Sequence, residues 1–332
     1  MDRIAANAFL TAGLFRQGAA IKADLTRASQ EMTTGKKADT GAAVGGDFSS
    51  LAAIDHALAR IRGYSATTAE TGLLAESMQT ALGVVSTAAE GLSANLLRNL
   101  GLSVPQNLTA VTIEGRQQFE TAIAALNTRF AERSVFGGVV TETAPLPDAN
   151  TILASLEAAL AGAVTVSDAE TAIADWFDGA TGYEAMYQGG AARAAVPVAP
   201  GESVDLPVTA LDPAIRDTLK GLATVALLDL GLFTGQNEAR AQLARNAGVA
   251  LVSSGEARSV LAARIGTAEA DIADTKARND AEETALGIAR AGLLEADPYE
   301  TATRLEDLQA RLESLYVLTA RLSKLTLTDY LR

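Results

Sequence analysis

Few side chains in this sequence have a type and a spacing that could support catalysis. There is one histidine, His56, which follows Asp55, and there is no cysteine. A lone imidazole without a thiolate or a second imidazole makes neither a catalytic triad nor a transition-metal site. We therefore interpret His56 as a surface or packing residue, and we expect no enzyme activity, no cofactor and no metal.

An acidic run in the last third of the chain invites comparison with a calcium site. Its members are Glu269, Asp271, Asp274, Asp280, Glu282 and Glu283. The run lacks the glycine-turned loop of calcium sites and contains Lys276 and Arg278. Because Asp274 and Arg278 are four residues apart, the spacing predicts a salt bridge on a solvated helix face.

The glycine-containing motifs also lack the spacing that phosphate binding requires. Thr34-Gly35-Lys36-Lys37 has no upstream glycine at the position that a phosphate loop needs, and neither Gly137-Gly138 nor Gly189-Gly190 has dinucleotide spacing. Asn107-Leu108-Thr109 matches a glycosylation sequon, a short pattern that arises by chance. Trp176, the single tryptophan, is interpreted as an anchor of a local core.

Charge and hydropathy exclude two classes of partner. The formal net charge is −13 and the sequence pI is about 4.6, so the surface repels phosphate backbones and nucleic-acid binding is not expected. No stretch reaches the roughly 18 apolar residues of a membrane span, so no membrane partner is expected. The first residues, MDRIAANAFLTAGLFRQG, do not resemble a secretory signal. If the protein leaves the cell, we expect export without a cleaved signal peptide.

The composition favours long helices. Hydrophobic residues make up 48% of the chain but aromatic residues only 5%, a balance that suits alanine- and leucine-rich helices packed along their length. The pattern predicts a first helix that stops at Thr33-Thr34-Gly35 and a second over residues 49–100, about 75 Å long if unbroken. A turn is predicted over residues 102–111, followed by a third helix. One face of this third helix carries Phe119, Ile123, Leu126 and Phe130.

The middle of the chain has a mixed pattern. Residues 133–147 are interpreted as an extended or hairpin element. A helix over residues 167–177 is predicted to open with a Ser167–Glu170 capping box, and a second hairpin is predicted around Pro200-Gly201. Asp212-Pro213 has the sequence of a helix start.

The last third is again helical, with a heptad seam and a separate final helix. The seam positions are Ile265, Ile272, Asn279, Leu286 and Leu293. The final helix is predicted to begin at Asp297-Pro298. Because narrow apolar seams do not stabilise isolated helices in water, the two ends must pair with each other or with neighbouring subunits.

Three segments carry a resemblance to a known family. QEMTTGKKADTGAAVGGDFSSLAAID (residues 30–55) resembles the turn between the first two helices of the flagellin superfamily, although Asp39 and Asp47 are not adjacent as the family's paired acidic residues are. The closing residues 295–332 resemble the family's C-terminal helix, and the TDYLR ending is similar to that of its hook-filament junction branch. Ser134-Val135-Phe136-Gly137-Gly138 resembles a hairpin of the same branch.

The resemblance implies a fold class and a division of the chain. The fold is expected to be mainly α, with a long antiparallel helical bundle or coiled coil formed by the N- and C-terminal regions and a small inserted mixed α/β outer domain. The expected segments are an N-terminal arm (1–45), a helical shaft with a hairpin (46–147), an inserted outer domain (148–230), a returning shaft helix (231–295) and a C-terminal arm (296–332).

The resemblance further implies a structural subunit that joins the flagellar hook to the filament by lattice packing of its terminal helices. Expected partners are copies of itself, hook-associated protein 1, flagellin and an export chaperone; the expected location is the extracellular flagellum, reached through type III export. A filament-forming flagellin is one alternative, and a cytosolic coiled-coil scaffold or an adhesin stalk is another. The predicted assembly interface is Ile4, Leu14, Ile21, Leu25, Met32, Leu305, Leu308, Leu312, Leu315, Leu322, Tyr330 and Leu331.

Overall fold

The computed structural model describes the backbone of residues 2–100 and 105–330, and the side chains of residues 12–98 and 108–321. This part of the chain is mainly helical with two small antiparallel sheets, which confirms the predicted fold class. The helices are α1 (Asp2–Thr34), α2 (Thr40–Ala43), α3 (Ser49–Leu100), α4 (Pro105–Leu126), α5 (Ala149–Ala159), α6 (Val166–Asp178), α7 (Tyr183–Met186), α8 (Pro213–Asp229), α9 (Asn237–Ser253), α10 (Gly255–Leu294) and α11 (Pro298–Tyr330). The strands are β1 (Arg129–Phe130), β2 (Arg133–Ser134), β3 (Val196–Ala199) and β4 (Glu202–Val204).

The chain forms two compact units. Unit 1 contains residues 1–62 and 281–332, and unit 2 contains residues 63–280. The division into five functional segments stays a prediction.

Short polar side chains start the helices of unit 1. Asp39 Oδ1 accepts a hydrogen bond from the Ala42 amide (3.0 Å) at the start of α2, and Asp47 Oδ1 accepts one from the Ser49 amide (2.9 Å) at the start of α3. Bonds from Ser49 also hold the pKa of Asp47 below its usual value. At α11, Asp297 Oδ1 accepts from the Tyr299 amide (2.8 Å), so the predicted cap is confirmed. The predicted stop of α1 is also confirmed, since Gly35 follows Thr34 with φ +67°.

Unit 2 is built around one hydrophobic core to which α3–α10 and both hairpins contribute. Helices α4 and α8 pack closely in this core, since a Cβ built on Gly115 of α4 would lie 2.4 Å from Val225 Cγ1 of α8. Trp176 is 8% exposed and packs edge-on against Phe177, with ring centroids 4.9 Å apart. The interpretation of Trp176 as a local core anchor is confirmed.

Two predicted features around α4 are wrong. Residues 105–111, predicted as part of a turn, belong to the first turns of α4, because Pro105 occupies the N-terminal position where a missing N–H costs nothing. Residues 101–104 lie outside the described part. At the other end, α4 stops at Leu126, and Phe130 lies in β1 rather than on the α4 face.

Two predicted polar contacts are also wrong. The capping box of α6 is formed by Thr165 and Asp168 rather than by Ser167 and Glu170, two residues earlier than the pattern indicated. Arg278 pairs with Glu202 of β4 and not with Asp274, because the hairpin brings a carboxylate against α10 that helical spacing alone could not reveal.

The two hairpins differ in how well the sequence identified them. The β3–β4 hairpin turns at Pro200-Gly201 as predicted, with Gly201 at φ +80°. The β1–β2 hairpin turns through Ala131 (φ +47°) and Glu132 (φ +62°), two residue types that rarely adopt this conformation. Within residues 133–147 only Arg133–Ser134 is strand. The following turn is held by Arg193, which donates to the carbonyls of Ser134 (2.8 Å) and Gly138 (3.0 Å).

Candidate functional site

The terminal helices pair within the chain, and they do so antiparallel. Gly18 faces Leu315, since a Cβ at Gly18 would lie 3.3 Å from Leu315 Cδ2. Glu31, thirteen residues later in α1, accepts a hydrogen bond from Arg304 (3.2 Å), eleven residues earlier in α11. The apolar positions are three and four residues apart on both helices, as knobs-into-holes packing requires. The cluster contains Ile21, Ala28, Leu308 and Leu315, with Leu14, Leu25, Leu305 and Leu312 packed against it.

A network of backbone and side-chain bonds closes one end of this pair. The Ala296 amide donates to the Gly35 carbonyl (3.0 Å), and the Lys37 amide donates to the Leu294 carbonyl (2.8 Å). Glu31 is 8% exposed, and its second oxygen accepts from the Ala38 amide (2.9 Å). A buried carboxylate that is hydrogen-bonded on both oxygens fixes where α1 ends and α11 begins.

The predicted interface residues do not all lie in this seam. Ile21, Leu308 and Leu315 are buried in it, and Leu14, Leu25, Leu305 and Leu312 are half-buried against it. Met32 is 50% exposed, because the buried position after Ala28 is Glu31 rather than Met32. The side chains of Ile4, Leu322 and Tyr330, and Leu331 altogether, lie outside the described residues. Participation of these positions in a lattice stays a prediction.

Unit 1 also exposes large apolar side chains that the sequence reasoning did not select. Tyr316, Val317 and Leu318 are each 52% exposed on α11, and Phe15 is 72% exposed on α1. Successive helix residues are about 100° apart, so Val317 points about 200° away from Leu315, on the side opposite the seam. The sequence feature that could have revealed them is the run Leu315-Tyr316-Val317-Leu318. Four consecutive apolar residues cover more of the helix circumference than a single seam buries.

The Tyr316 ring has a cationic neighbour on the partner helix. Lys22 Nζ of α1 lies 5.7 Å from the centroid of the Tyr316 ring. A cation over a ring face is attracted by the ring quadrupole, although at an exposed site the gain is only about 0.5–1 kcal/mol. The contact ties one edge of the exposed apolar trio to α1 and leaves Val317 and Leu318 to face solvent.

The pair formed by α3 and α10 within unit 1 is set by a buried stripe and two charge pairs. Leu51, Leu58 and Ile61 are buried on α3. Arg62 contacts Glu283 (2.7 Å) and Asp55 contacts Arg290 (2.6 Å), so the helices run antiparallel. His56 is exposed on this stretch.

The buried polar groups of unit 2 serve as structural ties. The Tyr183 hydroxyl donates to the Ala210 carbonyl (2.8 Å), and burial raises the pKa of Tyr183. Arg258 is 7% exposed and donates through Nη1 to the Leu251 carbonyl (3.2 Å) and to Ser254 Oγ (2.7 Å). Burial lowers the pKa of Arg258. The Arg258 bond to Leu251 satisfies a carbonyl at the end of α9, where helices leave acceptors open.

Two cavities of unit 2 lie along α3. One, of about 200 Å³, lies between α3 and the hairpins, where Glu70 and Arg133 form an ion pair (2.9 Å). Another, of about 500 Å³, is a groove between α3 and α4 with small residues such as Ser77, Thr80 and Ala124. Within the described ranges no cluster of three histidine, aspartate or glutamate side chains is placed to hold a metal ion. No helix among those described is long and apolar enough to cross a membrane.

Comparisons with known proteins give the following result. No family model matches the chain, and no curated protein matches it. Solved structures similar to it include FlgL from Bacillus cereus, at 16% identity and a TM-score of 0.44, covering 74% of this chain and all of that one. They also include a putative flagellar hook-associated protein from Vibrio parahaemolyticus, at 17% identity and a TM-score of 0.44, covering 74% of this chain and 92% of that one.

Proposed function

We propose that the chain is a structural subunit of the bacterial flagellum that joins hook to filament by lattice packing of its terminal helices. The observation that carries the proposal is the exposed apolar trio Tyr316, Val317 and Leu318 beside a heptad seam already closed within the chain. One helix pair buries a single stripe on each helix, so further apolar side chains on the outer side need another surface. Copies of the same chain supply one.

The proposed interface combines two sets of residues. The seam residues Ile21, Leu308 and Leu315 hold α1 and α11 together, and the outward set of Phe15, Val317 and Leu318 contacts neighbouring subunits. Ile4, Met32, Leu322, Tyr330 and Leu331 are proposed to extend this interface. Hook-associated protein 1 on one side and flagellin on the other are the proposed heterologous partners.

The proposal also includes a route and a location. The chain is exported by the flagellar type III apparatus with a dedicated chaperone and without a cleaved signal peptide, and it acts outside the cell. The absence of cysteine is compatible with this route, because an exported chain then cannot be cross-linked by disulfides.

The decisive substitution is Val317→Asp. A carboxylate on the outward side of α11 leaves the seam with α1 intact but cannot be buried in a neighbour, so we expect a secreted, folded protein that supports no filaments. Complementation of a deletion strain, followed by electron microscopy of flagella, measures this. Val317→Ile keeps the apolar contact and Gln309→Asp adds the same charge at an exposed polar position of α11; both should restore filaments.

Other experimental results would favour a different interface or one of the alternative functions. Normal filaments with Val317→Asp would remove the outward set from the interface. Seeded growth of long filaments from the purified chain would favour flagellin over a junction subunit. Retention of the wild-type protein in cells that have a working flagellar export gate would favour a cytosolic scaffold.

A further inference from the structure

A short polar layer interrupts the apolar seam between α3 and α10 inside unit 2. Thr68 and Thr71 of α3 are 0% and 5% exposed, and Thr275 and Asn279 of α10 are 3% and 2% exposed. Beyond this layer the α10 side of the seam is apolar as far as Leu261, and Arg258 (7% exposed) is the next buried residue of α10. On α3 the seam continues through Ala75, Met78, Leu82, Val85, Ala89, Leu92 and Leu96, and on α10 through Leu261, Ile265, Ala268 and Ile272.

The polar layer is satisfied by the β3–β4 hairpin. The Val198 carbonyl accepts from Asn279 Nδ2 (2.9 Å) and from Thr68 Oγ1 (3.3 Å), so one strand carbonyl is shared by both helices. Thr275 Oγ1 donates to Glu202 Oε2 (3.4 Å) of the same hairpin. Within α3, Thr68 Oγ1 also donates to the Tyr64 carbonyl (2.7 Å), as Thr71 Oγ1 does to the Thr67 carbonyl (2.8 Å). Thr71 differs from Thr68 because its hydroxyl does not contact the hairpin.

The apolar part of the seam does not by itself distinguish one alignment of the helices from another. Its positions are three and four residues apart throughout, so a slide of seven residues, about 10.5 Å, again places apolar side chains opposite apolar side chains. The polar layer responds differently. A slide carries Asn279 away from Val198 and leaves its buried amide without that acceptor, which is unfavourable, whereas Thr68 keeps its bond to the Tyr64 carbonyl.

We infer that Asn279, through its bond to the Val198 carbonyl, is the positioning residue that sets the register of α10 against α3, and that Thr68 assists by contacting the same carbonyl. The hairpin carbonyl can accept this hydrogen bond in only one alignment of the two helices. A single buried asparagine fixes the register of a coiled coil in the same way. The inference rests on the proposed function only for its consequence, which is that a fixed register gives every subunit the same repeat along the lattice.

Engineered disulfides measure the register directly, because the chain has no native cysteine. Gly72→Cys with Ile272→Cys reports the observed alignment, since a Cβ at Gly72 lies 3.3 Å from Ile272 Cγ2. Gly72→Cys with Ile265→Cys reports an alignment shifted by seven residues. Each cysteine pair is introduced into the Thr68→Val variant, the Asn279→Leu variant and the double variant. After oxidation, gel mobility measures the fraction of the protein that is cross-linked. Circular dichroism verifies helix content in each variant.

In the otherwise wild-type chain we expect only the 72–272 pair to cross-link. With Thr68→Val and Asn279→Leu together, the shifted pair should rise about tenfold or more, because the alternative alignment no longer buries unsatisfied groups. Thr71→Val is the matched control: it removes a buried hydroxyl from the same layer without touching the hairpin, and it should leave the shifted pair unchanged.

Exclusive cross-linking of the 72–272 pair in the folded double variant would overturn the inference. If the double variant does not fold, Asn279→Leu alone decides, since it removes the amide that is bonded to Val198, and an unchanged shifted pair would then also overturn the inference. The readout is separate from assembly. Filament formation in the Val317→Asp strain tests the proposed function and does not depend on the register. The shifted cross-link tests only the inference about the register and does not depend on filament formation.

Discussion

At the scale of single residues, Gly115 of α4 marks a close contact between two helices of unit 2. A Cβ there would lie 2.4 Å from Val225 Cγ1 and 2.8 Å from Val225 Cβ, and Val225 is fully buried. β-Branched side chains are stiff in helices, so Val225 cannot rotate away at little cost. Glycine therefore serves here for its small size and not for its backbone freedom.

Gly115→Ala should lower the free energy of unfolding by about 1–3 kcal/mol, although alanine favours helix, because the added methyl overpacks the contact between α4 and α8. Urea denaturation followed by circular dichroism measures the effect. Gly83→Ala is the control, since Gly83 is exposed on α3 with nothing within 4 Å of its Cβ position. It should raise stability by up to about 1 kcal/mol. Equal effects at both positions would contradict the close contact.

Single residues also show where sequence reasoning succeeds and where it stops. Gly35, Gly201, Asp212 and Asp297 were identified because each acts within a few residues of itself. Arg278 was misassigned because its partner Glu202 is 76 residues away. Asn279 was recognised as a seam position, but its bond to Val198, 81 residues away, follows from the path of the hairpin.

At the scale of elements, the start of α6 shows which of two possible capping boxes the chain uses. Its capping box uses Thr165 and Asp168, and the bonds that Asp168 accepts from Thr165 and Val164 hold the pKa of Asp168 below its usual value. The sequence offered Ser167 and Glu170 with the same spacing. Threonine at position 165 can take the extended conformation (φ −112°, ψ 164°) that an N-cap requires, and α6 gains its first turn.

Thr165→Ala should destabilise unit 2 by about 1 kcal/mol, the usual cost of losing an N-cap side chain. Ser167→Ala should be nearly neutral, because Ser167 lies inside the helix. Thermal unfolding of both variants beside the wild type measures the difference. A larger loss for Ser167→Ala would restore the boundary predicted from the sequence.

Long elements were the part of the fold that the sequence specified best. The bounds of α3 and the stop of α1 follow from apolar periodicity and local stop signals, which act along one helix. The predicted assembly interface rests on the same periodicity and stays a prediction. The sequence reasoning did not select the exposed apolar trio of Tyr316, Val317 and Leu318, because periodicity alone cannot say which of several apolar stripes a helix buries within its own chain.

At the scale of the whole molecule, the hydrophobic core of unit 2 is self-contained. Every member of its main buried cluster lies between Ala75 and Ile272, inside residues 63–280. The buried cluster between α1 and α11 is separate and much smaller. Stability is thus distributed unevenly between the units.

A fragment of residues 63–280 should therefore fold alone and unfold cooperatively, because it keeps the whole of the larger core. Calorimetry and circular dichroism measure this, with the full-length chain beside it. Its main transition should match that of the intact protein within a few degrees. A fragment with no cooperative transition would show that unit 1 supplies stability the core lacks.

The order in which the two halves of unit 1 appear along the chain has a consequence for synthesis. Glu31 and its partner Arg304 are 273 residues apart, with all of unit 2 between them. At about 5–20 residues per second, a growing chain carries the α1 half of the seam for roughly 15 to 55 seconds before the matching half exists. Leu14, Ile21 and Leu25 have no α11 to pack against during that interval. Helix α1 is thus made long before its partner helix, and whatever shields its apolar stripe must act on a nascent chain.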